Sequence, residues 1–211
     1  NSVNCPLANV DIDPAGSTVT ISSVTPSSPT AGQAITIVAT VTGVADFPPT
    51  GGNVVISASG GSLSSDNGVL GNAAVVDAGG GVYQATVTFT TGTDGDQMDT
   101  PGAYTLSAQF QGTSAPGTST SDDYAVTLGK EATGIALTLP GGDTMTAGAS
   151  NVAHVVITTS NNGFVDNNSA TVDLLDGSTV LQTHNLTNGE NGTFDFALGG
   201  LAVGTYSLTA R

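Results

Sequence analysis

The stretch TDGDQMDT (residues 93–100) places three carboxylates, Asp94, Asp96 and Asp99, in one short segment. Carboxylates at that spacing in a loop can converge on one Ca²⁺, a hard cation that takes oxygen ligands. The fit to an EF-hand loop fails, because Met98 occupies a ligand position and Thr105 stands where a bidentate Glu belongs. A solvated acidic loop is the preferred reading, since partial motifs carry little weight. Asp122 and Asp123, near a domain junction, are the other acids Ca²⁺ would draw on. No other cofactor is expected.

Nucleophiles and bases are sparse. The two histidines, His154 in NVAHVVIT and His184 at the end of TVLQTH, sit in apolar alternating stretches and read as strand or turn residues. Cys5 is the sole cysteine, so an intrachain disulfide is excluded, and no base lies beside it in sequence to activate the thiol. No G-x-S-x-G, H-E-x-x-H or phosphate-loop motif occurs. The expectation is that the chain is not an enzyme. Three N-x-S/T sequons, at Asn167, Asn185 and Asn191, are candidate glycosylation sites in exposed turns.

Charge narrows the partners. Seventeen acids stand against two bases, for a formal net charge of −15. Such a surface repels nucleic-acid phosphates and anionic lipid headgroups, so neither is an expected partner. No apolar run approaches a membrane span, and membrane insertion is not expected. The chain opens at Asn1 with neither Met nor a signal-like segment, which fits a leader removed on export. The expected location is extracellular, at the cell surface.

The elements that must carry these residues are strands. Apolar residues make up 38% of the chain and charged residues 9%, enough for a packed core and too little charge for disorder. Among 29 glycines, Thr, Ser and Val abound while Glu, Lys and Arg are scarce, which disfavours helices. Alternation predicts strands at 17–24, 34–43, 53–59, 68–77, 82–91, 103–110 and 123–128. A second series follows at 134–139, 151–158, 170–175, 179–184, 192–198 and 204–210. Residues 8–13, ANVDID, alternate as well, with Ala8, Val10 and Ile12 on one face between Pro6 and Pro14.

The two series echo each other. TAGQ (30–33) and TAGA (146–149) each precede a long apolar strand, and GAYTLSA (102–108) is matched by GTYSLTA (204–210). Internal duplication accounts for both pairs. The order of T-A-G-x, a β-rich run, a late strand with V-Y-x-A-T or G-T-F, then G-x-Y-x-L-x-A resembles the bacterial immunoglobulin-like repeats. Such repeats occur in adhesins, invasin-like stalks, surface-layer proteins and some phage decorations. The resemblance covers about residues 17–211 and implies spacers and binding platforms rather than catalysts. It also implies that Tyr104 and Tyr206 each anchor a strand through the hydroxyl.

The fold expected is all-β: an N-terminal arm (1–16) and two tandem immunoglobulin-like β-sandwiches (17–129 and 130–211). The first has DYAVTL (123–128) as its closing strand; the second ends at Arg211 without one. A sandwich short of a strand exposes an edge and a strip of core. The spare strand of the arm, with Ala8, Val10 and Ile12 inserted, would fill a groove lined by Tyr206, Leu208 and Ala210 in a neighbouring copy. Repeated head to tail, that contact makes a filament, with copies of the chain as the partners. The alternative is a repeat segment of a longer surface adhesin or surface-layer protein; a third is a decoration domain on a virus particle.

Overall fold

The computed structural model describes residues 13, 15–44, 46–61, 68–91, 98, 100–113, 116–161, 170–187 and 192–211. The donor-strand residues Ala8, Val10 and Ile12, together with Cys5, lie outside them. So do Asp94, Asp96 and Asp99 and the sequons at Asn167 and Asn191.

Among the described residues every element is a strand: β1 (Ser17–Thr25), β2 (Ala34–Gly43), β3 (Asn53–Gly60), β4 (Val69–Ala74), β5 (Val76–Gly79), β6 (Val82–Thr90), β7 (Gly102–Gln111), β8 (Ser119–Thr120), β9 (Tyr124–Leu128), β10 (Thr133–Thr138), β11 (Val152–Thr159), β12 (Thr171–Asp176), β13 (Thr179–Asn185), β14 (Thr193–Ala197) and β15 (Leu208–Ala210). The chain divides into two compact units, one running up to Pro29 and over Ala34–Leu128, the other Thr30–Gln33 and Gly129–Arg211. All pairings between these strands are antiparallel, an arrangement consistent with immunoglobulin-like sandwiches.

In the first unit the sheet β1-β2-β6-β5 faces a second in the order β4-β3-β7, with β8 and β9 both pairing along the outer side of β7. Period-two alternation sends Ile35, Ile37, Ala39 and Val41 of β2 into the core, along with Val54 and Ile56 of β3. From β7 come Tyr104, Leu106, Ala108 and Phe110, and β9, paired with β7 over Gly102–Leu106, adds Val126 and Leu128. Gly61 lies so close to the Tyr104 ring, with φ +56, that a Cβ there would overlap it.

The stretch expected to be one strand at 68–77 is two. Its first half, β4, pairs with β3, and its second half, β5, pairs with β6 of the other sheet. The chain changes sheets at Val75, which is buried at the switch, while its N–H donates to the Gly52 carbonyl at 3.0 Å.

In the second unit β10-β11-β14 forms one sheet and β13-β12-β15 the other. Ala153 and Val155 of β11, Phe194 and Phe196 of β14, and Val172 and Leu174 of β12 make its core with Leu186 and Leu198. The β12–β13 hairpin turns through Gly177 and Ser178, with Asp176 opposite Thr179 and Gly177 at φ +60, the left-handed geometry that tight hairpins need.

The strand expected at 204–210 is shorter. Only Leu208, Thr209 and Ala210 pair with β12, opposite Asp176, Leu175 and Leu174. β12 ends at Asp176, where the hairpin turns away, so residues 204–207 have no strand on that side. In the first unit β7 begins at Gly102 because β9 supplies partners from Gly102 to Leu106.

Candidate functional site

The segment leading into β15 is held by three contacts. Its turn is closed by the Tyr206 hydroxyl, which donates to the Ala202 carbonyl at 2.9 Å. The Ser207 N–H donates to Asp176 Oδ1 at 2.7 Å, and the Gly177 N–H donates to the Ser207 carbonyl at 3.2 Å. Past β15, Arg211 and Asp173 exchange both backbone bonds, at 2.9 and 3.0 Å, and Arg211 Nη2 stands 3.4 Å from Asp173 Oδ2.

One side of β15 is therefore fixed to β12. On its other side no strand pairs with it among the described residues. Between that free side and β10 opens a cavity of about 540 Å³. Leu137 and Leu139 line it from β10 and its continuation, Met145 and Thr146 from the following loop, and Leu198 and Leu201 from the end of β14. Tyr206 and Leu208 form the β15 wall, and Asp143 is the one ionisable carboxylate in the lining.

The inward direction of β10 follows from register. Leu137 lies opposite the buried Val155 and Ile135 opposite Ile157, so Ile135, Leu137 and Leu139 share the core-facing side. Yet Ile135 is 41% exposed and Leu137 half-buried. Val203, in the loop before Tyr206, is 91% exposed.

Comparison with the first unit shows what is uncovered. Tyr104, Leu106 and Ala108 are buried; their counterparts in GTYSLTA, Tyr206, Leu208 and Ala210, are each half-buried. The side toward the neighbouring strand is alike, for Ala108 lies opposite Ile56 and Ala210 opposite Leu174. The difference lies on the other side, where Val126 of β9 sits opposite Tyr104.

Of the residues singled out from the sequence, Tyr206 and Leu208 line this groove, and Ala210 packs against the second core beside it. Leu137, Leu139, Met145 and Leu201 were not singled out. The apolar alternation of GIALTL carries a strand signal but does not tell which of its residues face a cavity.

The other candidates lie elsewhere. His154 Nδ1 is 2.6 Å from Asp195 Oδ1, its direct cross-strand partner on the outer face of the β10-β11-β14 sheet. His184 stacks on Phe194 with ring centroids 4.0 Å apart and planes at 14°. Asn185 is exposed at the end of β13. Among the described residues no three His, Cys, Asp or Glu side chains cluster closely enough to hold a metal ion. Nor is any helix among them long and apolar enough to cross a membrane.

No family model and no curated protein matches the chain. Solved structures do, at low similarity. The Yersinia pseudotuberculosis adhesin InvE is 16% identical over 85% of this chain and 49% of its own, with a TM-score of 0.35. The Escherichia coli adhesin FdeC is 15% identical over 94% of this chain and 65% of its own, with a TM-score of 0.30. The Escherichia coli alpha-2-macroglobulin structure spanning domains NIE–MG1 is 13% identical over 93% of both chains, at 0.28. The chain thus spans about half of the InvE structure and just under two thirds of FdeC.

Proposed function

We propose that the chain is a non-enzymatic structural module of a surface-displayed, adhesin-type protein, built of two tandem immunoglobulin-like sandwiches, and that its second unit takes up one further β-strand. One observation carries the strand-accepting role: Tyr206 and Leu208 are half-exposed where their counterparts Tyr104 and Leu106 are covered by β9. An apolar edge of this kind is an aggregation liability unless a strand covers it. A strand added there satisfies the free backbone groups of β15 and buries the groove wall at once. The acidic surface and the shortage of Lys and Arg fit an exported protein.

The test uses a labelled peptide of residues 121–129, SDDYAVTLG, which carries the β9 sequence. Titrated against the chain at nanomolar concentration, it should bind saturably, and Leu208→Asp should abolish the binding by placing an unpaired charge in the groove. Binding that Leu208→Asp leaves unchanged removes the groove as the acceptor.

The second reading is a filament subunit, joined head to tail by donor-strand exchange. The same open edge favours it, because a heterologous contact between one end of a chain and a groove in the next propagates. Fibres in negative-stain electron micrographs of the chain at micromolar concentration are the expected result, and isolated two-lobed particles the contrary one.

A further inference from the structure

We propose, building on the strand-acceptor reading, that the occupant of the groove is residues 8–12 of a second copy, lying antiparallel to residues 204–208, the segment that leads into β15, with Val10 opposite Tyr206 and Ile12 opposite Gly204. The register comes from the first unit. There β9 runs antiparallel to β7 and sets Tyr124 opposite Leu106, Val126 opposite Tyr104 and Leu128 opposite Gly102. The acceptor positions recur in the second unit as Leu208, Tyr206 and Gly204. The hydroxyl of each tyrosine is bonded in the same way, to the carbonyl four residues back.

The strand that fits must therefore carry three inward side chains at alternate positions. The middle one is a small branched residue lying against the tyrosine ring. The last is a larger aliphatic residue over the glycine, where no Cβ takes up space. The sequence of β9 meets this as Tyr-x-Val-x-Leu, and residues 8–12 read Ala-x-Val-x-Ile. Asn9 and Asp11 then take the outward positions, where Ala125 and Thr127 of β9 are exposed. Every described strand is already paired within its own unit. Of the segments outside the described residues, 62–67, 92–97, 162–169 and 188–191 offer no three apolar residues in alternation; residues 1–12 do. Pro6 and Pro14 set the limits of that segment, since neither can donate to a ladder.

The register is tested by disulfide trapping in the full chain carrying Cys5→Ser. Directly opposed residues of an antiparallel pair bring their Cβ atoms to about 4.5–5.5 Å, close to what a disulfide spans. A Cβ built at Gly204 meets its nearest neighbour, a ring carbon of Tyr206, at 3.6 Å, so a side chain is accommodated. Ile12→Cys with Gly204→Cys should give a ladder of dimers, trimers and longer species on a non-reducing gel after mild oxidation. Ala8→Cys with Gly204→Cys should not, because four residues along a strand displace the thiol by about 13 Å. Monomer alone, an internally crosslinked monomer, or equal ladders from both pairs overturns the proposal. The peptide of residues 121–129 separates the two levels: its binding to the groove without a register-specific ladder leaves the acceptor standing and removes this occupant. Failure of both removes the acceptor as well.

Discussion

Tyr104 and Thr100 are joined by a hydrogen bond of 2.7 Å, hydroxyl to carbonyl, and Tyr104 is only 2% exposed. Tyr206 makes the matching bond to Ala202 at 2.9 Å while remaining open to solvent. The two bonds have the same geometry in different surroundings, so they should differ in value. Water competes for the Tyr206 hydroxyl and has no such access to Tyr104. Tyr104→Phe should cost about 1–1.5 kcal/mol and Tyr206→Phe no more than about 0.5 kcal/mol. Denaturant titration of both variants checks this, and equal losses would show that cover by β9 is not what sets the difference.

The same logic applies to the leucines two positions on. Leu106 is buried on all sides, and truncating it to Ala should cost about 2–5 kcal/mol. Leu208 is half-buried, so Leu208→Ala should cost about 1–2 kcal/mol in the dilute chain, because less apolar area leaves contact. With peptide 121–129 bound the gap should narrow. A Leu208→Ala loss as large as that of Leu106→Ala in dilute solution would mean the groove is already filled.

Period-two alternation made most of the strands legible, because a strand half-buried between two layers has no other way to sort its side chains. It failed where the physical cause was a partner. Val69–Ala74 and Val76–Gly79 run on with Val75 alone between them, and nothing in the sequence pattern tells that Val75 marks a change of sheet. β8, Ser119–Thr120, is too short and too polar to signal at all. GTYSLTA and GAYTLSA are near copies, yet the first pairs over three residues and the second over its full length. The difference lies in β9, outside the segment itself. For the groove, Tyr206 and Leu208 were legible from the likeness of GTYSLTA to GAYTLSA, while the wall from Leu137 to Met145 depends on which side of β10 stays uncovered.

His184 has a role that its sequence setting did not show. Its ring lies flat on Phe194, which in turn meets Phe196 edge-on at 5.3 Å. The three rings link β13 to β14, strands of different sheets. His184→Ala should destabilise the second unit by about 1–2 kcal/mol through lost stacking and area, and His184→Phe should recover most of it. Both are read from thermal melts, and a neutral alanine variant would reduce the stack to a surface contact.

Amide exchange should map the open edge directly. β7 is paired on both sides over Tyr104–Leu106, and β15 on one side only. Amides at Gly204–Leu208 that point toward the groove should exchange at least tenfold faster than those of β7 at the matching positions, as expected for backbone without a ladder partner. Saturation with the β9 peptide should slow them and leave the amides paired to β12 unchanged. Protection spread evenly over the second unit would indicate general stabilisation and no added strand.

Salt offers a separate check on association between copies. The chain carries a net charge of −15, and the inserted segment brings Asp11, with Asp13 beside it. Bringing two such chains together works against like-charge repulsion, which a Debye length of about 10 Å at 0.1 M salt shortens and about 3 Å at 1 M largely removes. The groove contacts are apolar and lose nothing to screening. Raising NaCl from 0.05 to 0.5 M should therefore strengthen self-association, seen as a shift to higher weight-average mass in sedimentation, with Val10→Asp abolishing it at every salt concentration. Association that weakens with salt would mean that ion pairs hold the copies together, and that a surface other than this groove does the joining.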